Sequence, residues 1–197
     1  ESANVGDDVL VSGSGATPED KVKIYWDEVD DWDEEDHTGY LEETTAESNG
    51  EFEVEITVPE HRGDKVHKVI AYDTETEDTA EASFTINPEV VVSPDTGAPG
   101  DTVEVEGTGF SRRSRVDVYF DEDHDEEMDT GERVARAKTN KFGSFEPEEF
   151  DVPDLDEDDY EVGAIDDEGY SAKDVFTVTA VVPKPVITLD PIKGRPG

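Results

Sequence analysis

Residues 94–110 read Pro-Asp-Thr-Gly-Ala-Pro-Gly-Asp-Thr-Val-Glu-Val-Glu-Gly-Thr-Gly-Phe, and they combine a turn with a strand. Gly97, Pro99 and Gly100 favour a loop, because these residue types suit the backbone angles of turns. Val103 and Val105 then alternate with acidic and hydroxyl side chains. This period of two predicts a β-strand with one buried and one solvated face.

The same pattern occurs earlier and later in the chain, which indicates a tandem repeat. Eight residues of an earlier copy match eight of this one at a spacing of 94 positions: Gly6, Val9, Val11, Gly13, Gly15, Val22, Tyr25 and Asp27 match Gly100, Val103, Val105, Gly107, Gly109, Val116, Tyr119 and Asp121. A third copy begins 97 positions beyond Pro88, with Pro185, Val186, Ile187, Leu189, Pro191, Gly194, Pro196 and Gly197. A period of about 100 residues suits a β-sandwich domain better than a solenoid unit.

The repeat predicts an all-β protein of two tandem immunoglobulin-like sandwiches, residues 1–87 and 88–182, followed by a C-terminal strand segment, residues 183–197. Alternation in the first copy predicts six strands, at 9–14, 21–27, 40–45, 51–58, 65–72 and 80–86. The second copy predicts seven, at 89–93, 102–107, 115–121, 133–138, 144–152, 160–166 and 175–179. The first copy therefore lacks a counterpart of strand 89–93, and the segment at 186–190 supplies that element in surplus.

The composition is strongly acidic, with 55 Asp and Glu against 16 Lys and Arg and a net charge of −39. The charge is shared between the copies: residues 1–87 carry 26 acidic and 5 basic side chains (−21), and residues 88–182 carry 28 and 8 (−20). Such charge destabilises a compact fold at low salt, whereas at about 1 M salt the Debye length falls to about 3 Å and the repulsion is screened. The composition therefore predicts a protein that works in concentrated salt.

The run from Val90 to Phe110, the later Gly143-Ser-Phe145 and Tyr160-Glu-Val-Gly-Ala-Ile-Asp166, and Phe176-Thr-Val178 together resemble the immunoglobulin-like repeats of the IPT/TIG type of bacteria and archaea. With this acidity the chain is most similar to copies in surface proteins of extreme halophiles. The resemblance covers essentially the whole chain and implies the fold. It implies function only loosely, since such modules serve as stalks, surface-layer units, adhesins and filament subunits.

Two acidic loops are candidate cation sites, because calcium takes six to eight oxygen ligands. The candidate ligands are Asp27, Asp30 and Asp31 in the first copy and Asp121, Asp123 and Asp125 in the second. Neither loop has the order of an EF-hand. The alternative is weak binding of monovalent counterions by a solvated loop, and no other cofactor is expected.

Catalytic motifs are absent from the sequence: there is no Gly-x-Ser-x-Gly, phosphate loop, His-Glu-x-x-His or dinucleotide fingerprint. His37 and His124 lie in the acidic loops and are read as partly protonated counterions, while His61 and His67 show no triad spacing. The only short basic cluster is Arg112, Arg113 and Arg115, which disfavours a nucleic-acid partner. Cysteine is absent, and no hydrophobic run is long enough to span a membrane. The sequence predicts a protein that is not an enzyme.

The two ends predict assembly of the chain with itself. A sandwich that lacks an edge strand exposes unpaired backbone groups that can accept a strand from another chain. The candidate donor residues are Pro185, Val186, Ile187, Leu189 and Ile192, in the segment that carries the only net positive charge. The alternative is that the chain is a window of a longer array, in which this segment begins the next domain.

The expected function is that of an extracellular, non-catalytic structural protein of a halophile, a repeat subunit of a surface layer, sheath or filament. Two alternatives remain open: the stalk of an adhesin or viral spike, and an accessory domain of a secreted enzyme.

Overall fold

The computed structural model describes residues 1–125, 128–129 and 131–180. All of its regular structure is β, and none of the described residues lies in a helix. The first domain contains β1 (Ser2–Ala3), β2 (Asp8–Gly13), β3 (Lys21–Trp26), β4 (Gly39–Thr45), β5 (Phe52–Thr57), β6 (His67–Asp73) and β7 (Thr79–Ile86). The second contains β8 (Glu89–Ser93), β9 (Thr96–Gly97), β10 (Thr102–Thr108), β11 (Arg115–Phe120), β12 (Arg133–Lys138), β13 (Phe145–Asp151), β14 (Asp158–Asp166) and β15 (Ser171–Val178).

Each domain is a sandwich of two sheets. The second domain pairs a three-stranded sheet, β13-β10-β8, with a five-stranded sheet, β12-β11-β14-β15-β9. The first domain has the matching five-stranded sheet, β4-β3-β6-β7-β1, but in the described part of the chain its other sheet holds only β2 and β5. The predicted all-β fold of two immunoglobulin-like sandwiches is confirmed.

The alternating side chains fill the space between the sheets, as their period of two requires. Trp26 and Phe120 end equivalent strands and are both fully buried, so both are core aromatics. Among the described residues the first domain has a smaller core: ten buried residues form its apolar cluster, against seventeen in the second. Val90 and Val92 of β8, with Val103 and Val105 of the neighbouring β10, account for four of the additional residues.

Two short strands and one strand start differ from the sequence prediction. β1 and β9 are two-residue strands that pair in parallel with β7 and β15, and they are too short to show any alternation. β15 begins at Ser171 instead of residue 175, because its first residues pair with β14 although they are polar and largely exposed. Backbone pairing sets that start, and no apolar pattern marks it.

An aspartate at the end of β6 and its counterpart at the end of β14 tie the sheets together. Asp73 accepts a hydrogen bond from the backbone N–H of Thr17 at 2.6 Å, and Asp166 accepts one from that of Ser111 at 2.8 Å. The Thr17 N–H is the main reason that the pKa of Asp73 falls to about 2. Both copies of the repeat therefore share this hydrogen bond from the backbone to an aspartate, as well as the strands.

Candidate functional site: the domain junction and the open edge of the first domain

Asp27 directly follows β3, and its side chain reaches β6, the neighbouring strand of the sheet. Its carboxylate lies 2.9 Å from Nδ1 of His67, 2.7 Å from Nζ of Lys65 and 2.9 Å from the backbone N–H of Lys68. Burial opposes ionisation of this carboxylate, but the hydrogen bonds from His67, Lys65 and Lys68 outweigh it, so the pKa of Asp27 lies well below its usual range. Asp27 is therefore a buried anion with three donors around it.

His67 is fully buried between Asp27 and the backbone of the 60–65 loop. Its Nδ1 faces the Asp27 carboxylate, and its Nε2 lies 2.9 Å from the carbonyl oxygen of Arg62. Both neighbours can accept a hydrogen bond, and each ring nitrogen lies within hydrogen-bond distance of one of them. The ring also stacks on Trp26, with centroids 5.1 Å apart. With neither nitrogen free, His67 fits a structural role and not that of a general base.

His61 lies against His67, with ring centroids 4.4 Å apart. Its Nδ1 is 3.0 Å from the backbone N–H of Arg62, which donates to it. Burial, followed by the charge of His67, lowers the pKa of His61 to about 4, so this ring is neutral near pH 7. The side chains of Asp27, His61 and His67 bring ligand atoms within 4.8 Å of one another. A metal ion there would have to replace the hydrogen bonds of His67, so the arrangement is better suited to holding the loop.

The loop that these side chains hold forms the junction with the second domain. The N–H of Gly63 lies 3.1 Å from the carbonyl oxygen of Gly109 and 3.2 Å from that of Phe110, in a shared hydrogen bond between the domains. A Cβ at residue 63 would collide with the Gly109 carbonyl oxygen, so the close approach needs glycine here. The two backbones thus touch directly.

Side chains extend the junction on one side. Phe142 of the second domain stacks on His37 of the first, with ring centroids 3.7 Å apart and planes at 5°. His37 Nδ1 lies 2.8 Å from the carbonyl oxygen of Glu60, and Asn140 donates to the Glu60 carboxylate at 3.2 Å. Lys141 forms an ion pair with Asp36 at 3.5 Å. A stacked ring pair, a hydrogen bond and an ion pair together restrict motion between the domains.

The other feature is the open edge of the first domain along β2. Within the described residues β2 pairs only with β5, whereas its counterpart β10 pairs with β13 on one side and β8 on the other. Val103 and Val105 of β10 are 1% and 0% exposed, while the equivalent Val9 and Val11 are only half-buried. The missing strand accounts for this difference, because the same side chains on the same strand are covered only where β8 is present.

A cavity of about 400 Å³ opens at one end of this edge, lined by Phe52, Val22 and Ala80 among others. Phe52 and Val22 belong to the core, and Ala80 lies on the exposed part of β7. In the second domain β8 packs against β15, and the Val92 N–H donates to the Asp174 carboxylate at 2.9 Å. We call the space between β2 and β7 the open groove.

The carboxylates of the two predicted cation loops are grouped differently in the structure. In the second domain Asp121, Asp123 and Glu132 bring ligand atoms within 4.8 Å of one another, and so do Asp123, Asp125 and Asp129. In the first domain Asp27 turns to His67 and Lys65, and neither Asp30 nor Asp31 joins such a group among the described residues. The cation site at Asp121, Asp123 and Asp125 stays a prediction, to which the geometry adds Glu132 and Asp129.

Reasoning from sequence missed His61, His67 and Phe142. His67 is 40 positions from Asp27, and the antiparallel pairing of β3 with β6, which ends at Trp26 and Val69, brings the two residues together. The repeat contains a signal, because the pairing of Phe120 with Val162 places Tyr160 at the position of His67. A histidine at a core aromatic position, on the strand that pairs with the one before the repeated turn aspartate, would have indicated the contact.

The predicted donor residues Pro185, Val186, Ile187, Leu189 and Ile192 lie outside the described residues. No helix in the part of the chain that the structure describes is long and apolar enough to cross a membrane.

No family model and no curated protein sequence matches the chain. Among solved structures, it is similar to a tetra-tandem repeat in the extending region of a large adhesion protein (18% identity, TM-score 0.34), covering 90% of this chain and 48% of that one. It is also similar to the polymeric Ig receptor ectodomain of a teleost fish (11% identity, TM-score 0.34, 93% and 96% covered) and to murine CEACAM1b (12% identity, TM-score 0.30, 91% and 96% covered). The chain spans about half the length of the adhesion-protein fragment. At TM-scores below 0.5 these likenesses carry no argument about function.

Proposed function

We propose that the chain is a non-catalytic structural unit of an extracellular surface layer, sheath or filament in a salt-adapted microbe, built from IPT/TIG-like repeats. The observation that carries the proposal is the junction: Gly63 contacts the Gly109 and Phe110 carbonyls, and Phe142 stacks on His37. A packed junction between successive sandwiches transmits force and fixes their relative orientation, which a load-bearing array requires and a flexible tether does not supply.

The charge distribution supports work in concentrated salt. Both domains are acidic over their whole sequence, at −21 and −20 for residues 1–87 and 88–182. Most of the ion pairs that could offset this charge lie at the surface, as Arg115 with Asp167 and Lys68 with Glu81 do. Surface pairs of this kind contribute about 0–1 kcal/mol each, so screening by salt must supply most of the relief from repulsion.

The proposal of a non-catalytic protein rests on the hydrogen bonds that the two buried histidines make. Asp27 and His67 have the spacing of a catalytic dyad, but His67 Nε2 already donates to the Arg62 carbonyl oxygen. His61 lies beside it with Nδ1 occupied by the Arg62 N–H. A general base needs a free nitrogen within reach of the substrate proton, and both nitrogens of His67 already have hydrogen-bond partners.

Electron microscopy of the purified chain tests the proposal, first in concentrated salt and then after stepwise dilution. We expect ordered fibres or sheets in concentrated salt that dissociate on dilution, because dilution lengthens the range of the repulsion between acidic subunits. Dispersed monomers under both conditions would contradict a self-assembling unit and would favour the stalk of an adhesin or spike.

A further inference from the structure

A cavity of about 340 Å³ lies at the domain junction and is lined by residues of both domains; we call it the junction cavity. Five of its ten lining side chains are cationic, and two are anionic. The cationic ones are Arg62, Lys65, Arg112, Arg113 and Lys141, and the anionic ones are Glu28 and Asp36. His61 also lines the cavity and is neutral near pH 7, since burial lowers its pKa to about 4. In a chain of net charge −39, this cavity is a local concentration of positive charge.

Two of these arginines are available to a ligand. Arg112 and Arg113 are exposed, and within the described part of the chain neither side chain forms an ion pair. Arg115 of the same short cluster does form one, with Asp167 at 2.7 Å, and it does not line the cavity. A guanidinium carries five N–H donors in a planar fork that matches the oxygens of an anion. The junction cavity therefore has two such forks without a carboxylate partner of their own.

Two other cations of the cavity are held loosely. Arg62 lies 3.3 Å from the carboxylate of Asp64, and Lys141 lies 3.5 Å from that of Asp36. Both distances exceed the about 2.7–2.9 Å of a strong charge-assisted hydrogen bond. The cations of the cavity outnumber the carboxylates that line it or pair with them, by five to four. The positive charge is therefore not fully compensated by the chain's own carboxylates.

Hydrogen bonds on both sides fix the turn that carries the two unpaired arginines. The backbone N–H of Ser111 donates to the Asp166 carboxylate at 2.8 Å, and that of Ser114 donates to Oγ1 of Thr139 at 2.8 Å. Both serines are buried. The backbone of the turn is thus in place before a ligand binds, which reduces the entropy lost on binding.

We propose that the junction cavity binds a sulfate or phosphate group, either as the free ion or as a monoester. A phosphate ester carries about −1.5 to −2 charges and three strong acceptor oxygens, whereas a carboxylate carries one charge on two oxygens. The larger group can therefore accept hydrogen bonds from several walls of the cavity at once. The volume of about 340 Å³ also lies within the range of about 300–1,000 Å³ of small-molecule sites, so a monoester fits. This inference goes beyond the structural function and does not depend on how the chain assembles.

Concentrated salt is compatible with such a site. The net charge of −39 repels anions at long range, but the Debye length falls from about 10 Å at 0.1 M salt to about 3 Å at 1 M. Hydrogen bonds from a guanidinium to an oxyanion act at about 2.7–2.9 Å, within that length. Salt therefore screens the repulsion that opposes the ligand and leaves the contacts that hold it.

Amide NMR spectra of the isotope-labelled chain at about 1 M potassium chloride test the proposal, because long-range repulsion is screened there. Inorganic phosphate, glycerol phosphate and glycerol are titrated separately. We expect saturable shifts at residues 61–65, 111–114 and 141–142 with the phosphates and none with glycerol. A variant with Arg112→Gln and Arg113→Gln should bind phosphate at least about tenfold more weakly, because it loses two charged donors.

The matched control carries Arg115→Gln and Arg136→Gln. These substitutions remove the same charge from exposed positions outside the cavity, where the arginines pair with Asp167 and Asp117. The control should bind phosphate as the parent does. All four arginines are exposed, so both variants should fold, and their spectra without ligand check this.

Each result counts for or against the site. Saturable binding that the cavity variant loses and the control keeps supports it. Tighter binding of glycerol phosphate than of inorganic phosphate then identifies a monoester as the ligand, and the reverse order identifies the free ion. Equal weakening in the two variants would mean diffuse attraction to positive charge and would overturn the proposal. A parent chain without saturable shifts in either phosphate titration overturns it whatever the variants do.

Discussion

Nδ1 of His67 lies 2.9 Å from Oδ2 of Asp27, and this buried pair connects β6 to the residue that follows β3. The Arg62 carbonyl accepts from the other nitrogen of the same ring, which fixes the loop that carries Gly63. The pair therefore stabilises both the first sandwich and the surface that meets the second.

His67→Ala should destabilise the first domain by about 3 kcal/mol, because it leaves the Asp27 carboxylate buried with fewer donors. Denaturant unfolding in concentrated salt, followed by tryptophan fluorescence, measures the change, since both tryptophans, Trp26 and Trp32, lie in the first domain. The control is His124→Ala, an exposed histidine that stacks on Tyr160 in the second domain. Equal small effects of the two changes would show that the buried pair adds nothing.

The stability of the first domain should fall as the pH is lowered from 6.5 to about 4. Burial lowers the pKa of His61 to about 4, below the value of 6.5 expected in the unfolded chain. In this pH window the unfolded chain binds more protons than the folded one. The contribution of His61 to the free energy of unfolding is therefore fully present above pH 6.5. It falls by roughly 2 kcal/mol, discounted for solvent screening, as the pH falls towards 4.

His61→Gln isolates this contribution, since glutamine keeps an acceptor near the Arg62 N–H but does not titrate. The difference in unfolding free energy between the parent and His61→Gln should depend on pH in this window, whereas that for His124→Gln should change less. A difference that stays constant from pH 7 to 4 would contradict the lowered pKa.

The junction between the domains should show coupling between His37 and Phe142. Their rings stack at 3.7 Å across the interface, and aromatic pairs contribute about 0.5–1.5 kcal/mol beyond their buried area. A double-mutant cycle with His37→Ala and Phe142→Ala measures this energy. His124→Ala with Phe142→Ala is the uncoupled control. Small-angle X-ray scattering of Phe142→Ala should also show a broader range of domain orientations.

The second acidic loop should bind calcium more tightly than the first. Asp123 belongs to both groups of carboxylates within 4.8 Å, whereas Asp31 belongs to none among the described residues. Calorimetric titration with calcium in concentrated potassium chloride should show several-fold weaker binding for Asp123→Asn and no change for Asp31→Asn. Equal effects of the two substitutions would indicate diffuse counterion binding instead of a site.

The sequence predicts the architecture because the repeat and the alternation are local patterns. The spacing of 94 places Asp27 and Asp121 at equivalent positions and predicts the same role for both. The structure separates them: Asp27 meets His67 and Lys65, while Asp121 lies near Asp123 and Glu132. Their neighbours come from other strands, so the register between strands decides the chemistry of each aspartate, and no spacing within one strand reveals it.

The junction is beyond prediction for the same reason. The short linker at Asn87 and Pro88 indicates that the domains are close, but the stacking of Phe142 on His37 joins residues 105 positions apart in the sequence. In the sequence, Gly63 shows nothing beyond a residue type that suits a turn. Its role in admitting the Gly109 carbonyl depends on the approach of a second domain.

Val11 and Val105 occupy equivalent positions in the two domains, so the same substitution at each compares the domains directly. Val105→Ala should cost about 2 kcal/mol, because that side chain is fully buried beneath β8 and its removal leaves a cavity. Val11→Ala should cost less than about 1 kcal/mol in the unassembled chain, since Val11 is half-buried and water can reach the space left behind. Fluorescence of the two tryptophans follows the first domain, and circular dichroism follows both. Equal costs of the two substitutions would show that β8 contributes nothing to the burial of Val105.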